Sequence, residues 1–127
     1  MRAYIDSDVL IWHLRGNQKA LDLIRQLRDI DKFELWIGAM QRAEIVFFMR
    51  PDEESATELF LSQFSTASVD QSIIDQAGKL FRQWNPSHGI DINDAILAAT
   101  AMQAGGKIYC LNTKHYPFDT IVVQRAW

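Results

Sequence analysis

The chain has 127 residues, 48% of them hydrophobic and 23% charged, enough for one globular domain with its own core and too few for a second. Its net charge of −3 argues against a generic nucleic-acid binder with a basic face, although acids gathered around a cation would leave the rest of the surface less negative. The single Cys110 has no partner for an internal disulfide, and no apolar stretch reaches the ~20 residues of a membrane helix. Both features suit a cytoplasmic protein with no membrane partner.

Residues Arg2 to Ile5 read as a first strand, and Ser7 is placed to cap a helix carrying Val9, Leu10, Trp12 and His13, stopped by Gly16-Asn17. Ala20, Leu21, Ile24, Leu27 and Ile30 then recur at helical spacing, with Arg25 and Arg28 on the wet side. FELWIG is the second strand. Residues 39–48 are apolar on nearly every face, which predicts a helix covered on more than one side and ended by Pro51. Asp52 is expected to cap the next helix, in which Ala56, Leu59, Phe60 and Phe64 share a face, and Ser65 to Val69 suit a short strand. Ile73, Ile74, Ala77, Leu80, Phe81 and Trp84 define another amphipathic helix, closed by Asn85-Pro86 and then Gly89. Asp91 caps the apolar helix DAILAATAMQ, which Gly105-Gly106 stops. KIYCLN and TIVVQ complete the strands. Short β-branched or aromatic runs alternating with helices predict an α/β domain, residues 1–127, with a mainly parallel sheet. Ligands of such folds bind beyond the carboxyl ends of strands, where Asp6 and Asn112 fall.

The acids carry the chemistry. Glu44 has Met40, Gln41, Phe47 and Phe48 as its helical neighbours, none a cation; it is either turned to solvent or neutralised from a distance. Asp94 has a comparable setting, but a carboxylate in a first turn also suits the helix dipole, with Asp91 three residues earlier as a cap. Helix initiation accounts well for Asp8 and less well for Asp6, whose side chain should enter the crevice above the sheet. Taken together, a strand end and two helix faces each supply an acid without a local cationic partner. Two carboxylates ~4 Å apart repel by about 4 kcal/mol at an effective dielectric near 20, so a converging set needs protons or a metal. Hard oxygen donors select Mg²⁺ or Mn²⁺.

The stretches IDSDVLIWHLRG, AEIVF, HGIDINDAILAATA and YCLNTKHYP, in that order, resemble the PIN-domain ribonucleases, and among them the VapC-type toxins of toxin-antitoxin pairs. The resemblance implies a three-layer α/β/α fold on a sheet of about five strands, and a metal-dependent endoribonuclease acting on RNA. It matches Asp6, Glu44 and Asp94 to the family's acids, which would hold one or two Mg²⁺ or Mn²⁺ ions. Ser7 fills the small hydroxyl position beside the first acid. Asn112 stands where relatives carry a fourth Asp or an Asn, Cys110 replaces a usual Thr, and Asp91 is a possible compensating acid. Lys114 and His115, and more weakly Arg15 and Arg42, are candidates for contact with the RNA backbone. A homodimer and a VapB-type antitoxin lying across the acidic groove are also implied; Trp12, Phe47, Phe48 and Met49 either give apolar surface to that contact or, for at least half of them, fill the core. The alternative is a PIN-fold interaction module that binds an antitoxin or RNA without cutting, its fourth position too weak for catalysis. A phospho-receiver domain is disfavoured, because FELWIGAMQ carries no acceptor Asp.

Overall fold

Four parallel pairings join five strands in the order β3-β2-β1-β4-β5 in the computed structural model, which describes residues 1–127. The strands are β1 (Arg2–Ile5), β2 (Glu34–Gly38), β3 (Ser65–Ala67), β4 (Lys107–Cys110) and β5 (Val122–Arg125). Helices α1 (Ser7–Leu14), α2 (Gln18–Arg25), α3 (Ala39–Val46), α4 (Glu54–Leu61), α5 (Gln71–His88) and α6 (Ile92–Ala104) connect them. The expected α/β architecture is thus present, with a sheet that is parallel throughout. No helix is long and apolar enough to cross a membrane.

Alternation along the strands builds the three layers, because successive strand side chains point to opposite faces. Tyr4, Ile108 and Cys110 pack with Ile73 and Ala77 of α5 and with Leu97 and Ala98 of α6. Ala3, Ile5, Leu35, Ile37 and Tyr109 pack instead with Leu10 of α1, Ile24 of α2, Ile45 of α3 and Phe60 of α4. The same alternation sends Asp6, next after Ile5, toward the α6 face. β1 lies at the centre of the sheet, between β2 and β4. The chain adds strands first to one side of β1 and then to the other, so the crevice above β1 and β4 is the switch point where such folds bind ligands.

Several boundaries differ from the sequence reading. Asp6, not Ser7, caps α1: its carboxylate accepts the Ser7 N–H at 2.8 Å, so Ser7 is already helical. α2 continues into one wide turn, Gln26–Ile30, and leaves Ile30 exposed. α3 ends at Val46, which puts Phe47 and Phe48 in solvent at 78% and 81% exposure instead of under cover. Asp52 does not cap α4; a tight turn over Pro51–Glu53 precedes the helix, and Glu53 reaches back to the Arg50 N–H. Leu59 faces outward while Phe60 and Leu61 are buried. α5 runs through Pro86, whose missing N–H is tolerated near the helix end, and stops at Gly89, where φ is +63°. Both β3 and β4 are shorter than expected.

A local cost lies beneath the crevice. A Cβ on Gly38, the last residue of β2, would meet the Gln41 side-chain oxygen, which would have to swing aside. Gln41 is itself 1% exposed, and neither its Oε1 nor its Nε2 has a hydrogen-bond partner. A buried polar group without a partner costs about 1–3 kcal/mol. Gln41→Met, nearly the same shape without the amide, is therefore expected to stabilise the fold by about 1 kcal/mol. Urea unfolding followed by circular dichroism reads this as a higher midpoint; an unchanged or lower midpoint contradicts it.

Candidate active site

Three distant segments meet above the carboxyl ends of β1 and β4. Asp6 arrives from the end of β1 and Asp94 from the first turn of α6, and they are only 8% and 7% exposed. Tyr116 comes from the loop after β4, 4% exposed, and its hydroxyl donates to Asp6 Oδ2 at 2.7 Å while lying 3.3 Å from Asp94 Oδ1. One phenol oxygen thus touches both carboxylates.

The local sequence explains each placement. Asp91 and Asp94 form a reciprocal cap: the Asp94 N–H donates to Asp91 Oδ1 at 2.7 Å, and the Asp91 N–H donates to Asp94 Oδ2 at 3.1 Å. The capping expectation for Asp94 thus holds at Oδ2, while its Oδ1 faces the Tyr116 hydroxyl beside Asp6. Asp91 is spent on this cap and does not join the pair. Asp8 initiates α1 by accepting the Val9 N–H and also accepts the Leu111 N–H at 3.1 Å, which ties the helix to the end of β4.

Glu44 is half-buried on α3, with both oxygens occupied by neutral donors. Ser7 Oγ donates to Oε2 at 3.0 Å and Asn93 Nδ2 to Oε1 at 3.0 Å. The open question of where Glu44 points is answered by these contacts: it turns toward α1 and α6, one hydroxyl away from the residue after Asp6. In this arrangement no three Asp, Glu, His or Cys side chains stand close enough together to hold an ion. Asp6 and Asp94 face one another, while Glu44 is linked to them through Ser7 and Asn93.

The remaining candidates divide. Asn112 is exposed, and its amide stands 3.2 Å from His115 Nε2 instead of facing an acid. His115 Nδ1 lies 3.2 Å from Asp94 Oδ2, so this ring, expected on the RNA backbone, already has protein partners at both nitrogens. Lys114 and Arg15 are exposed, and the Arg15 guanidinium lies 5.5 Å from the Trp12 ring centre. Arg42 Nη1 reaches Thr66 Oγ1 at 3.4 Å. Cys110 is buried behind the pair, which pushes its thiol up to about 12 and makes it inert at neutral pH. Sequence reasoning passed over Tyr116 and Asn93. Asn93 adjoins a candidate acid and carries a side-chain donor, which was a usable signal. For Tyr116 the only signal was an aromatic residue with a polar tip in the motif after β4.

Burial dominates the electrostatics. Loss of water pushes the Asp6 carboxyl up to about 7, against the pull of the Tyr116 and Ser7 donors, and the Asp8 and Asp94 charges push the same way. Asp94 is also raised to about 7, chiefly by burial, despite the Asp91 N–H bond. The Tyr116 hydroxyl is driven well above its usual range by burial and by both acids, so it remains a neutral donor.

The PIN domain family model matches residues 3–116. Over 89% of this chain, ribonuclease VapC19 of Mycobacterium tuberculosis is 32% identical, covering 90% of that protein. Ribonuclease VapC10 of the same organism is 33% identical over 89% of this chain and 84% of its own length. Among solved structures, VapBC2 from Rickettsia felis bound to a promoter DNA fragment superposes with a TM-score of 0.82 at 15% identity, covering 100% of this chain and 99% of that one. The chain belongs to the PIN-domain family.

Because both acids are raised, the folded protein holds protons that the unfolded chain, with carboxyl values near 3.9, has released. That contribution is complete below about pH 4 and is lost as pH rises through about 7. In EDTA the protein is expected to be more stable at pH 5 than at pH 8, with a slope approaching about 1.4 kcal/mol per pH unit for each titrating acid. Asp94→Asn should flatten it. Thermal midpoints measured across pH check this, and a parent protein that gains stability from pH 5 to pH 8 contradicts it.

Proposed function

We propose that the protein is a metal-dependent endoribonuclease, the toxin of a VapBC-type toxin-antitoxin pair. The observation that carries the reading is the Asp6–Asp94 pair, buried and turned toward one point above β1 and β4 in a chain of the PIN family. The identity of about a third to two named ribonucleases over most of the chain supports RNA as substrate.

The donors suit a hard divalent cation: two buried carboxylates are lifted toward neutrality by desolvation, with a third acid one residue contact away. Asp6 and Asp94 would hold Mg²⁺ or Mn²⁺, with Glu44 completing the acidic set. When bound, such an ion supplies Lewis-acid stabilisation of charge on the scissile phosphate and lowers the pKa of an attacking water. The chain's own residues set the geometry. Ser7 and Asn93 aim the Glu44 carboxylate and keep it from rotating into solvent. The Asp91 N–H and the Ser7 N–H hold one oxygen of each paired acid, leaving the other toward the crevice. Lys114 and Arg15 are exposed cations suited to phosphate, and Arg15 lines the groove that holds Glu44. The non-cutting alternative gains no support from Asn112, whose neutral amide faces His115 and not the acids.

The groove beside Glu44 is the seat proposed for the antitoxin. Ile11, Leu14, Ile45, Phe48 and Met49 line this groove of about 390 Å³, with Glu44 and Glu53 on its walls. Phe47 and Phe48 are too exposed to be core, so their apolar area is available to a partner. A partner segment carrying apolar side chains and one basic residue fits such a surface, and VapBC complexes have this fold. We also propose a homodimer, for which the apolar groove between α5 and α6, flanked by exposed Ile74 and Ile92, offers surface.

Asp6→Asn and Asp94→Asn should each lower cleavage of a structured RNA by roughly 100-fold or more, and EDTA should abolish it until Mn²⁺ is restored. Equal cleavage by parent and variants would assign the activity to a contaminant. Phe48→Glu should weaken binding of the cognate antitoxin by roughly tenfold or more while leaving RNA cleavage intact, as read by calorimetry and a cleavage assay. Unchanged antitoxin affinity contradicts the groove assignment.

A further inference from the structure

We propose that the Tyr116 hydroxyl is a built-in stand-in for the cation, so that an ion enters this site by displacing it. The inference rests on the reading of Asp6 and Asp94 as the metal-binding pair and adds how that pair is controlled.

Each oxygen of the pair can be assigned. Asp6 Oδ1 accepts the Ser7 N–H at 2.8 Å, and Asp94 Oδ2 accepts the Asp91 N–H at 3.1 Å and stands 3.2 Å from His115. The two backbone contacts belong to the caps of α1 and α6 and cannot be given up without loosening the helix ends. The oxygens left to face each other are Asp6 Oδ2 and Asp94 Oδ1, and between them lies Tyr116 Oη, at 2.7 Å and 3.3 Å. A Mg²⁺ or Mn²⁺ ion bonds to oxygen at roughly 2.0–2.2 Å, so an ion held by both acids would compete with the hydroxyl for these two oxygens. The ring cannot serve as an ordinary ligand in its place, because a neutral phenol is a weak donor to a hard cation.

Tyr116 is held firmly enough to make this competition count. The residue is 4% exposed and packs within the same apolar cluster as Ala98, Ile108 and Phe118. Its hydroxyl has one proton, which goes to Asp6 at the shorter distance. The metal-free protein thereby keeps its two acids in register, and the ion must offset the loss of a buried, charge-assisted hydrogen bond before it gains its own ligands. Tyr116 is a positioning residue in this scheme: it sets the apparent affinity for the ion and takes no part in the reaction.

The effect separates from a merely structural role by linkage, since a bond present only in the metal-free state weakens ion binding and a bond present in both states does not. Tyr116→Phe keeps the ring and removes the hydroxyl. Mn²⁺ titration followed by electron paramagnetic resonance is expected to show about tenfold tighter binding in Tyr116→Phe than in the parent. Its thermal midpoint should be lower than the parent's in EDTA, and the two should converge in saturating Mn²⁺. In the parent, Mn²⁺ should produce a tyrosine ultraviolet difference band that saturates with binding, a readout that does not depend on how well the variant folds. Equal or weaker binding by the variant, an equal midpoint loss in EDTA and in Mn²⁺, or no tyrosine band in the parent overturns the proposal. Asp94→Asn tells the two levels apart: ion binding lost there but unchanged in Tyr116→Phe leaves the metal-binding pair standing and removes the stand-in. A parent that binds no Mn²⁺, or an Asp94→Asn variant that binds it fully, removes both.

Discussion

Two buried carboxylates turned toward one another repel, and each also loses much of the hydration that made it an anion in water. In this chain both penalties fall on Asp6 and Asp94, which are more than nine-tenths buried and joined only through the Tyr116 hydroxyl. A neutral hydroxyl shares hydrogen bonds but cancels no charge, so the pair keeps a demand for positive charge or a proton at the oxygens that face each other. His115 touches only the outer oxygen of Asp94. The rest of the molecule can be understood as the frame that enforces this arrangement.

The frame is built from ordinary parts. A central strand ends at Ile5, strand alternation turns Asp6 toward the α6 side, and the carboxylate then caps α1. Asp94 is fixed by a reciprocal cap with Asp91, so its orientation follows from helix initiation and needs no special contact. Glu44 sits one hydroxyl further out, aimed by Ser7 from α1 and Asn93 from α6. The unpartnered Gln41 amide one turn before Glu44 is stability given up near the same crevice. Outside it, Phe47 and Phe48 stand in solvent at the end of α3, where a partner laid over the acids would meet them.

Much of the fold was legible because strands and helices here are short and strongly patterned. RAYI, ELWIG and KIYC are each apolar enough to be inner strands, and Gly89 and Gly105 mark helix ends by their backbone freedom. Local chemistry misled where two residues competed for one role. Ser7 is a good capping type, yet Asp6 takes that position because its carboxylate is already held at the strand end. Phe47 and Phe48 look like core by hydropathy, but the helix stops just before them. The acids themselves could be named from their lack of local cations. Their pairing could not, since Asp6 and Tyr116 are 110 residues apart in the chain and only the strand order brings them together. The different task of Asn112, held by His115, was equally invisible, because spacing alone does not tell which way a loop amide turns.

The most direct measurement is a manganese anomalous-difference map from crystals of the full chain soaked in Mn²⁺. A single strong peak is predicted within roughly 2.2 Å of one Asp6 oxygen and one Asp94 oxygen, with the Tyr116 ring withdrawn from between them. An ion elsewhere on the surface, or an undisturbed Tyr116 bridge at saturating Mn²⁺, would contradict it.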